Sequence, residues 1–235
     1  MARRRQPVYL LAKTVVPPVV RTWVRLDCQG LLHVPRQGPV IVAANHISYF
    51  DPVCLGTFVD AAGRQARFLA KSELFDKRWL GWILRNAGQI PVYRETRDAG
   101  QALVEAVAAM RDGAAVVIYP EGTTTTNPDF SPMKAKNGVA RLAALTGAPV
   151  VPVGIWGAQV LFARGKIGPF RRGARVVLRA GPPLHLGLVP GSPLDEVNAA
   201  RDRVMEAIVK LVDEAREEWT PPAWHHQPEQ PPPPR

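Results

Sequence analysis

Cysteine is scarce in this 235-residue chain, which has only Cys28 and Cys54. Two thiols cannot build a disulfide scaffold, and their spacing fits neither a four-ligand zinc site nor a CxxC redox pair. A reducing compartment is the simplest setting. Aromatic residues make up 7%, and no RNP-like, helix-turn-helix or zinc-finger pattern accompanies them, which leaves little for reading bases. Acidic residues are missing from 131–194 altogether. Uninterrupted apolar runs are missing too. Leu142 to Ala163 carries no charge, yet Gly147, Pro149, Pro152, Gly154 and Gly157 fall within it. That stretch reads as a helix end followed by a buried strand, with no membrane span. His33, His185, His225 and His226 have no paired ligand spacing, so no metal or other cofactor is expected.

What the chain does have is a globular balance with a strong positive excess. Hydrophobic residues are 46%, mean hydropathy is −0.07 and the formal charge is +10. One domain of ordinary size is implied, together with an anionic partner: nucleic acid, phospholipid headgroups or a phosphorylated substrate. The cations cluster. Residues 1–36 sum to +6, 64–97 to +5 and 131–194 to +9, whereas 195–218 sum to −4.

The opening Arg3-Arg4-Arg5 leads into an apolar stretch from Val8 to Leu26, broken by Lys13, Pro17-Pro18 and Arg21. This predicts two short helical pieces hinged at the prolines, either lying in a membrane interface or covering the core. Residues 1–30 thus form a basic, apolar docking segment, 31–218 the main domain and 219–235 a proline-rich disordered tail. Strands are predicted at Val40–Ala44, Arg67–Ala70, Ile90–Tyr93, Ala115–Tyr119, Val150–Ile155 and Arg175–Ala180, and helices near 52–60, 78–87, 97–112, 136–146 and 194–218. The interleaving indicates an α/β fold, a central mixed β-sheet flanked by helices. Trp79, Trp82 and Trp156 are assigned to core packing, with a membrane interface or an acyl tunnel as alternatives. Pro152 is expected to shape a strand edge.

The segment richest in chemistry is Asn45-His46-Ile47-Ser48-Tyr49-Phe50-Asp51-Pro52, just past the Val40–Ala44 strand. Reactive groups of α/β folds sit at that strand end. On a regular helix His46 and Asp51 would point about 140° apart. A tight turn before a helix starting at Pro52 instead brings the carboxylate to one ring nitrogen and leaves the other basic, ready to deprotonate a hydroxyl. The competing reading is a structural histidine, with Asp51 as helix N-cap.

Three further blocks stand in order along the chain: Gly88-Gln-Ile-Pro-Val-Tyr-Arg94, Pro120-Glu-Gly-Thr123 and Val151-Pro152, with Lys71-Ser-Glu-Leu74 before them. Together with Asn45-His46-x4-Asp51 they resemble the glycerophospholipid acyltransferase family, in particular the 1-acylglycerol-3-phosphate (lysophosphatidic acid) acyltransferases. The likeness covers roughly residues 31–183. It implies that His46 is the general base on an acceptor hydroxyl that attacks the thioester of acyl-CoA or acyl-carrier protein, with Asp51 orienting it. It implies Arg94 on the acceptor phosphate, with Glu121, Gly122 and Thr123 lining the same pocket. Glu121 either binds glycerol hydroxyls or holds Arg94.

Where the family often carries Arg or Lys after the Glu-Gly-Thr, this chain has Thr124-Thr-Thr-Asn127. Lys134, Lys136 and Lys71 are the substitute cations, against the alternative of a solvated loop. Cys54 is expected to be a buried apolar residue. The implied reaction makes phosphatidic acid on the cytoplasmic face of the membrane, by a peripheral or monotopic protein, with no nucleic acid as partner. The alternatives are another lyso-lipid or glycolipid acceptor, or a non-catalytic membrane- or nucleic-acid-binding module.

Overall fold

A computed structural model of the chain describes residues 14–15, 18–20, 22–92, 99–162 and 173–221. Seven strands form one sheet in the order β1-β7-β6-β2-β5-β3-β4. They are β1 (Val24–Gln29), β2 (Val40–Ala44), β3 (Ala66–Lys71), β4 (Ile90–Val92), β5 (Ala115–Ile118), β6 (Val150–Trp156) and β7 (Ala174–Ala180). The helices are α1 (Asp51–Ala61), α2 (Glu73–Asp76), α3 (Arg78–Asn86), α4 (Ala99–Arg111), α5 (Gly138–Thr146), α6 (Gln159–Phe162) and α7 (Leu194–Glu218), with a 3-10 turn at Leu31–His33.

β6, β2, β5, β3 and β4 run parallel, and β7 pairs antiparallel with β6. The sheet is therefore mixed, as expected. Every residue of β2, β5 and β6 is buried, which is why these strands read as continuous Val/Ile/Ala runs and not as alternating ones. The β2-α1-β3 connection steps one way along the sheet, whereas β4-α4-β5 and β5-α5-β6 step back. Right-handed crossovers then place α1 on one face and α4 and α5 on the other. Helix α7 packs on β6 beside α5. Gly154 makes room for it: a Cβ there would lie 2.6 Å from the Leu211 carbonyl carbon.

One sequence expectation needs correction at the N-terminus. Val24–Gln29, read as the end of a helical docking segment, is the edge strand β1, paired in parallel with β7. Val24, Leu26 and Cys28 alternate with Arg25, Asp27 and Gln29, a period-two pattern hidden by the apolar run before it. Asp27 and Glu218 take the Arg175 guanidinium, with Asp27 at 2.6 Å. The sheet domain thus begins before residue 31. Residues 18–20 and 22–23, just upstream, are helical. At the other terminus, Trp219 packs on the core and its carbonyl accepts from the Trp156 indole at 3.0 Å, while Pro221 is buried. The start of the tail is therefore held, and its remainder, 222–235, lies outside the described residues.

Pro152 lies inside β6, between β2 and β7, not at an edge. Its carbonyl accepts from Gly181 N, just past the end of β7, so the nitrogen that lacks a hydrogen faces a place where no ladder partner is required. Just before the amino ends of β2, β3 and β5, buried Arg64 donates to the carbonyls of Pro35, Gly38 and Gly113 and ties three loops together. Among the described residues no helix is long and apolar enough to cross a membrane.

Candidate active site

The site is built on the carboxyl end of β2. Asn45 closes that strand against β6, donating to the Ile155 carbonyl at 2.9 Å and accepting from Ile155 N at 2.7 Å. The chain then turns sharply. Asp51 N donates to the Ser48 carbonyl, Ser48 Oγ donates to the Phe162 carbonyl at 2.8 Å, and α1 begins at Asp51 itself.

This turn folds the Asp51 carboxylate back over its own upstream backbone. Asp51 Oδ2 accepts from His46 Nδ1 at 2.8 Å, Ile47 N at 2.7 Å and Ser48 N at 2.8 Å. The N-cap reading fails, because these donors precede the helix and Phe50 occupies the cap position. Asp51 is fully buried, and its Oδ1 has no partner. Burial pushes its carboxyl above the ordinary range, and the bonds from His46, Ser48 and Ile47 oppose that shift. With a carboxylate on Nδ1, the proton of a neutral His46 sits there and Nε2 is the basic nitrogen. The His46 side chain is 15% exposed.

Two residues of the Tyr119–Gly122 segment, at the end of β5, complete the support. The Tyr119 ring stacks on the His46 imidazole with centroids 4.2 Å apart and planes 17° apart, and Phe68 stands behind it at 6.3 Å. Glu121 takes two backbone donors. Its Oε1 accepts from His46 N and its Oε2 from Met133 N, each at 2.8 Å. It is a buried bracket that joins the histidine turn to the loop before α5. Burial pushes its carboxyl up, with the Met133 and His46 N–H groups opposing. Thr125 N donates to the His46 carbonyl at 2.7 Å, so both backbone polar groups of His46 are held.

The other expected site residues are less uniform. Gly122 has φ of 73°, a conformation that glycine adopts without penalty. A Cβ there would lie 3.3 Å from Lys136 Cδ, Cε and Nζ. Lys136, not Lys134, is thus the cation laid against the Glu121-Gly122-Thr123 turn; both side chains are exposed, as is Thr123. Lys71 ends β3, two strands from β2 and so about 10 Å away across the sheet, and it pairs with Glu73 at 3.1 Å. Arg94 lies outside the described residues. Cys54 is buried, and burial raises its thiol pKa, as expected of a small core residue. No group of three or more His, Cys, Asp or Glu side chains among the described residues is placed to hold a metal ion.

Tyr119 was missed by sequence reasoning, as were the two backbone partners of Glu121. Tyr119 adjoins the Pro-Glu-Gly-Thr block and Glu121 lies within it, and that block was the only available signal.

Fold and site together define a class: an α/β protein with a carboxylate-oriented imidazole at the carboxyl edge of its sheet. The particular family follows from comparison. The family model described as Acyltransferase matches residues 25–156, and the chain belongs to that family. Its sequence is 27% identical over 209 residues to the chloroplastic 1-acyl-sn-glycerol-3-phosphate acyltransferase BAT2 of Brassica napus, covering 87% of this chain and 57% of that one. The chain thus spans little more than half the length of that relative. To the 1-acyl-sn-glycerol-3-phosphate acyltransferase of Bacillus subtilis it is 27% identical over 184 residues, 77% of this chain and 84% of the other. The crystal structure of the 1-acyl-sn-glycerophosphate (LPA) acyltransferase of Thermotoga maritima shares the fold, with a TM-score of 0.73, 24% identity and coverage of 94% and 86% respectively.

Proposed function

We propose that this protein transfers an acyl group from a thioester donor, acyl-CoA or acyl-carrier protein, to the free hydroxyl of 1-acylglycerol-3-phosphate, giving phosphatidic acid. The observation that carries the proposal is the His46 Nδ1–Asp51 Oδ2 contact of 2.8 Å, which leaves Nε2 as the proton acceptor. Nε2 removes the hydroxyl proton as the oxygen attacks the thioester carbonyl. Collapse of the tetrahedral adduct breaks the C–S bond, and the imidazolium returns its proton to the departing thiolate. Asp51 stabilises the imidazolium formed on the way. The scheme calls on no metal, and neither cysteine takes part.

The names of the relatives support the acceptor, and so does the cation Lys136 beside the Gly122 turn. Arg94, two residues past the end of β4, is assigned to the acceptor phosphate. The basic segment upstream of β1, with Arg3, Arg4, Arg5, Lys13 and Arg21, docks the protein on the anionic cytoplasmic leaflet where both lipid-bearing substrates partition.

The test is acyl transfer by the purified chain across a panel of lyso-acceptors, phosphate-bearing and neutral. His46→Ala abolishes turnover while circular dichroism stays unchanged, and near-normal rates in that variant would overturn the mechanism. Arg94→Ala weakens use of phosphate-bearing acceptors more than neutral ones; equal losses would reject its role. Preference of the unaltered protein for a glycolipid acceptor would replace the substrate and keep the chemistry.

A further inference from the structure

Helix α3 has an apolar face that nothing among the described residues covers. Trp79 is 70% exposed, Trp82 58% and Ile83 39%, although tryptophan at such positions reads as core in the sequence. Spaced i, i+3 and i+4, they form one stripe. The opposite side of the helix is fixed to α2. Gly81 meets it so closely that a Cβ would fall 1.9 Å from the Phe75 carbonyl oxygen, and Arg85 donates to that same oxygen at 2.9 Å. The stripe is thus held outward by a rigid contact. Cations stand at its start: Lys77 precedes the helix and Arg78 opens it, both exposed. Of the two nearby carboxylates, Glu73 is taken by Lys71, while Asp76 is exposed at the end of α2.

The position of α3 in the fold gives the stripe its meaning. β2, β5, β3 and β4 are parallel, so their carboxyl ends share one edge of the sheet. His46 follows β2 and Glu121 follows β5 at that edge. Helices α2 and α3 leave from the end of β3, and the chain re-enters the sheet at Ile90, which pairs with Leu69 near the same end. The whole excursion therefore stays on the side that carries the catalytic pair.

From these facts we infer that α3 is a second membrane-docking element, which seats Trp79, Trp82 and Ile83 in the interface of an anionic phospholipid bilayer, with Lys77 and Arg78 over its headgroups. Indole rings favour that boundary, and basic side chains are drawn to its charge. Docking there turns the carboxyl edge of the sheet toward the lipid, so that an amphiphilic acceptor reaches His46 with its acyl chain still in the bilayer. The inference rests on the reading that the enzyme works at a membrane surface, and it adds which face meets that surface.

The experiment uses the full chain with vesicles of phosphatidylcholine containing phosphatidylglycerol, some carrying brominated acyl chains that quench tryptophan. The protein sediments with the vesicles, and its fluorescence is quenched. Trp79→Phe with Trp82→Phe keeps binding but loses most of the quenched signal, while Trp79→Ser with Trp82→Ser lowers binding tenfold or more. Lys77→Gln with Arg78→Gln weakens binding roughly fivefold per charge, and only on the anionic vesicles. All of these variants retain turnover on a short-chain, water-soluble acceptor.

Unchanged quenching in the double Phe variant would overturn the inference while leaving membrane binding in place. A dimer in lipid-free solution that the double Ser variant dissolves would assign the stripe to a second copy and would also overturn it. Failure of the unaltered chain to bind any vesicle would sink the membrane reading itself, and the inference with it.

Discussion

Glu121 Oε1 accepts the His46 backbone N–H at 2.8 Å across a sequence separation of 75 residues. Its other oxygen accepts Met133 N, so one buried carboxylate sets both the register of the histidine turn and the course of the loop that carries Lys134 and Lys136. Glu121→Ala leaves two buried N–H donors without partners, and Glu121→Gln leaves one facing an amide nitrogen. Losses of about 1–3 kcal/mol per orphaned donor are expected by urea unfolding. Turnover falls in both variants with little change in KM, because the defect lies in where His46 stands.

Asp51→Asn removes the charge that stabilises the imidazolium and cannot serve all three donors of Oδ2 as the carboxylate does. Its kcat drops by about 10²–10⁴-fold. Steady-state kinetics on the phosphate-bearing acceptor check this, and a loss below threefold would contradict the assigned role.

Tyr119 separates ring from hydroxyl. Its OH is buried without a partner, so Tyr119→Phe keeps stability and turnover close to those of the unaltered protein. Tyr119→Leu removes the aromatic face 4.2 Å from the imidazole, which attracts the ring most when it is positively charged. A stacking or cation–π contribution of about 0.5–2 kcal/mol converts to a two- to thirtyfold fall in kcat. Steady-state kinetics of the two variants side by side check this, and an equal fall in both would remove the ring from the account.

Lys136 and Lys134 are two residues apart and both exposed, yet it is Lys136 that supplies the atoms nearest a Cβ at Gly122. Lys136→Ala raises KM for the anionic acceptor more than Lys134→Ala does, and the difference disappears with a neutral acceptor. Equal effects would show that the loop acts only as a diffuse positive field.

Stability against pH follows from the two buried carboxyls. Asp51 and Glu121 are raised above ordinary values of 3.8 and 4.5, so the folded protein binds their protons more tightly than the unfolded chain does. Their contribution is greatest below those ordinary values, declines as pH rises through the window up to the raised folded values, and is constant above it. Denaturant unfolding from about pH 4 to about pH 7 therefore shows a flatter decline for Asp51→Asn than for the unaltered chain. A steeper decline would reverse the assignment.

Much of the site was legible because it is local. The His46-x4-Asp51 spacing, with Pro52 behind it, needs only a tight turn to bring ring and carboxylate together. The central strands were legible because full burial leaves unbroken apolar runs at Val40–Ala44, Ala115–Ile118 and Val150–Trp156. Strand β1 was not, since its alternation follows an apolar stretch that hides its start. Trp79 and Trp82 were misread because residue type reports a preference for apolar surroundings without saying whether protein or another medium supplies them. The partners of Glu121 were out of reach of local pattern, being set by how two strand ends meet.

By itself, the order of residues determined the α/β alternation, the acid-poor and base-rich segments, and a histidine–aspartate pair at the end of a strand. Those are consequences of side-chain chemistry over a few neighbouring positions. Tertiary structure alone decided that Glu121 grips the His46 backbone, that Tyr119 faces its ring, that Lys136 and not Lys134 reaches Gly122, and that two tryptophans point away from the core. The physical reason is common to all four. Each depends on which strands lie side by side and which ends share an edge, and parallel pairing brings β2, β5 and β3 together from distant parts of the chain.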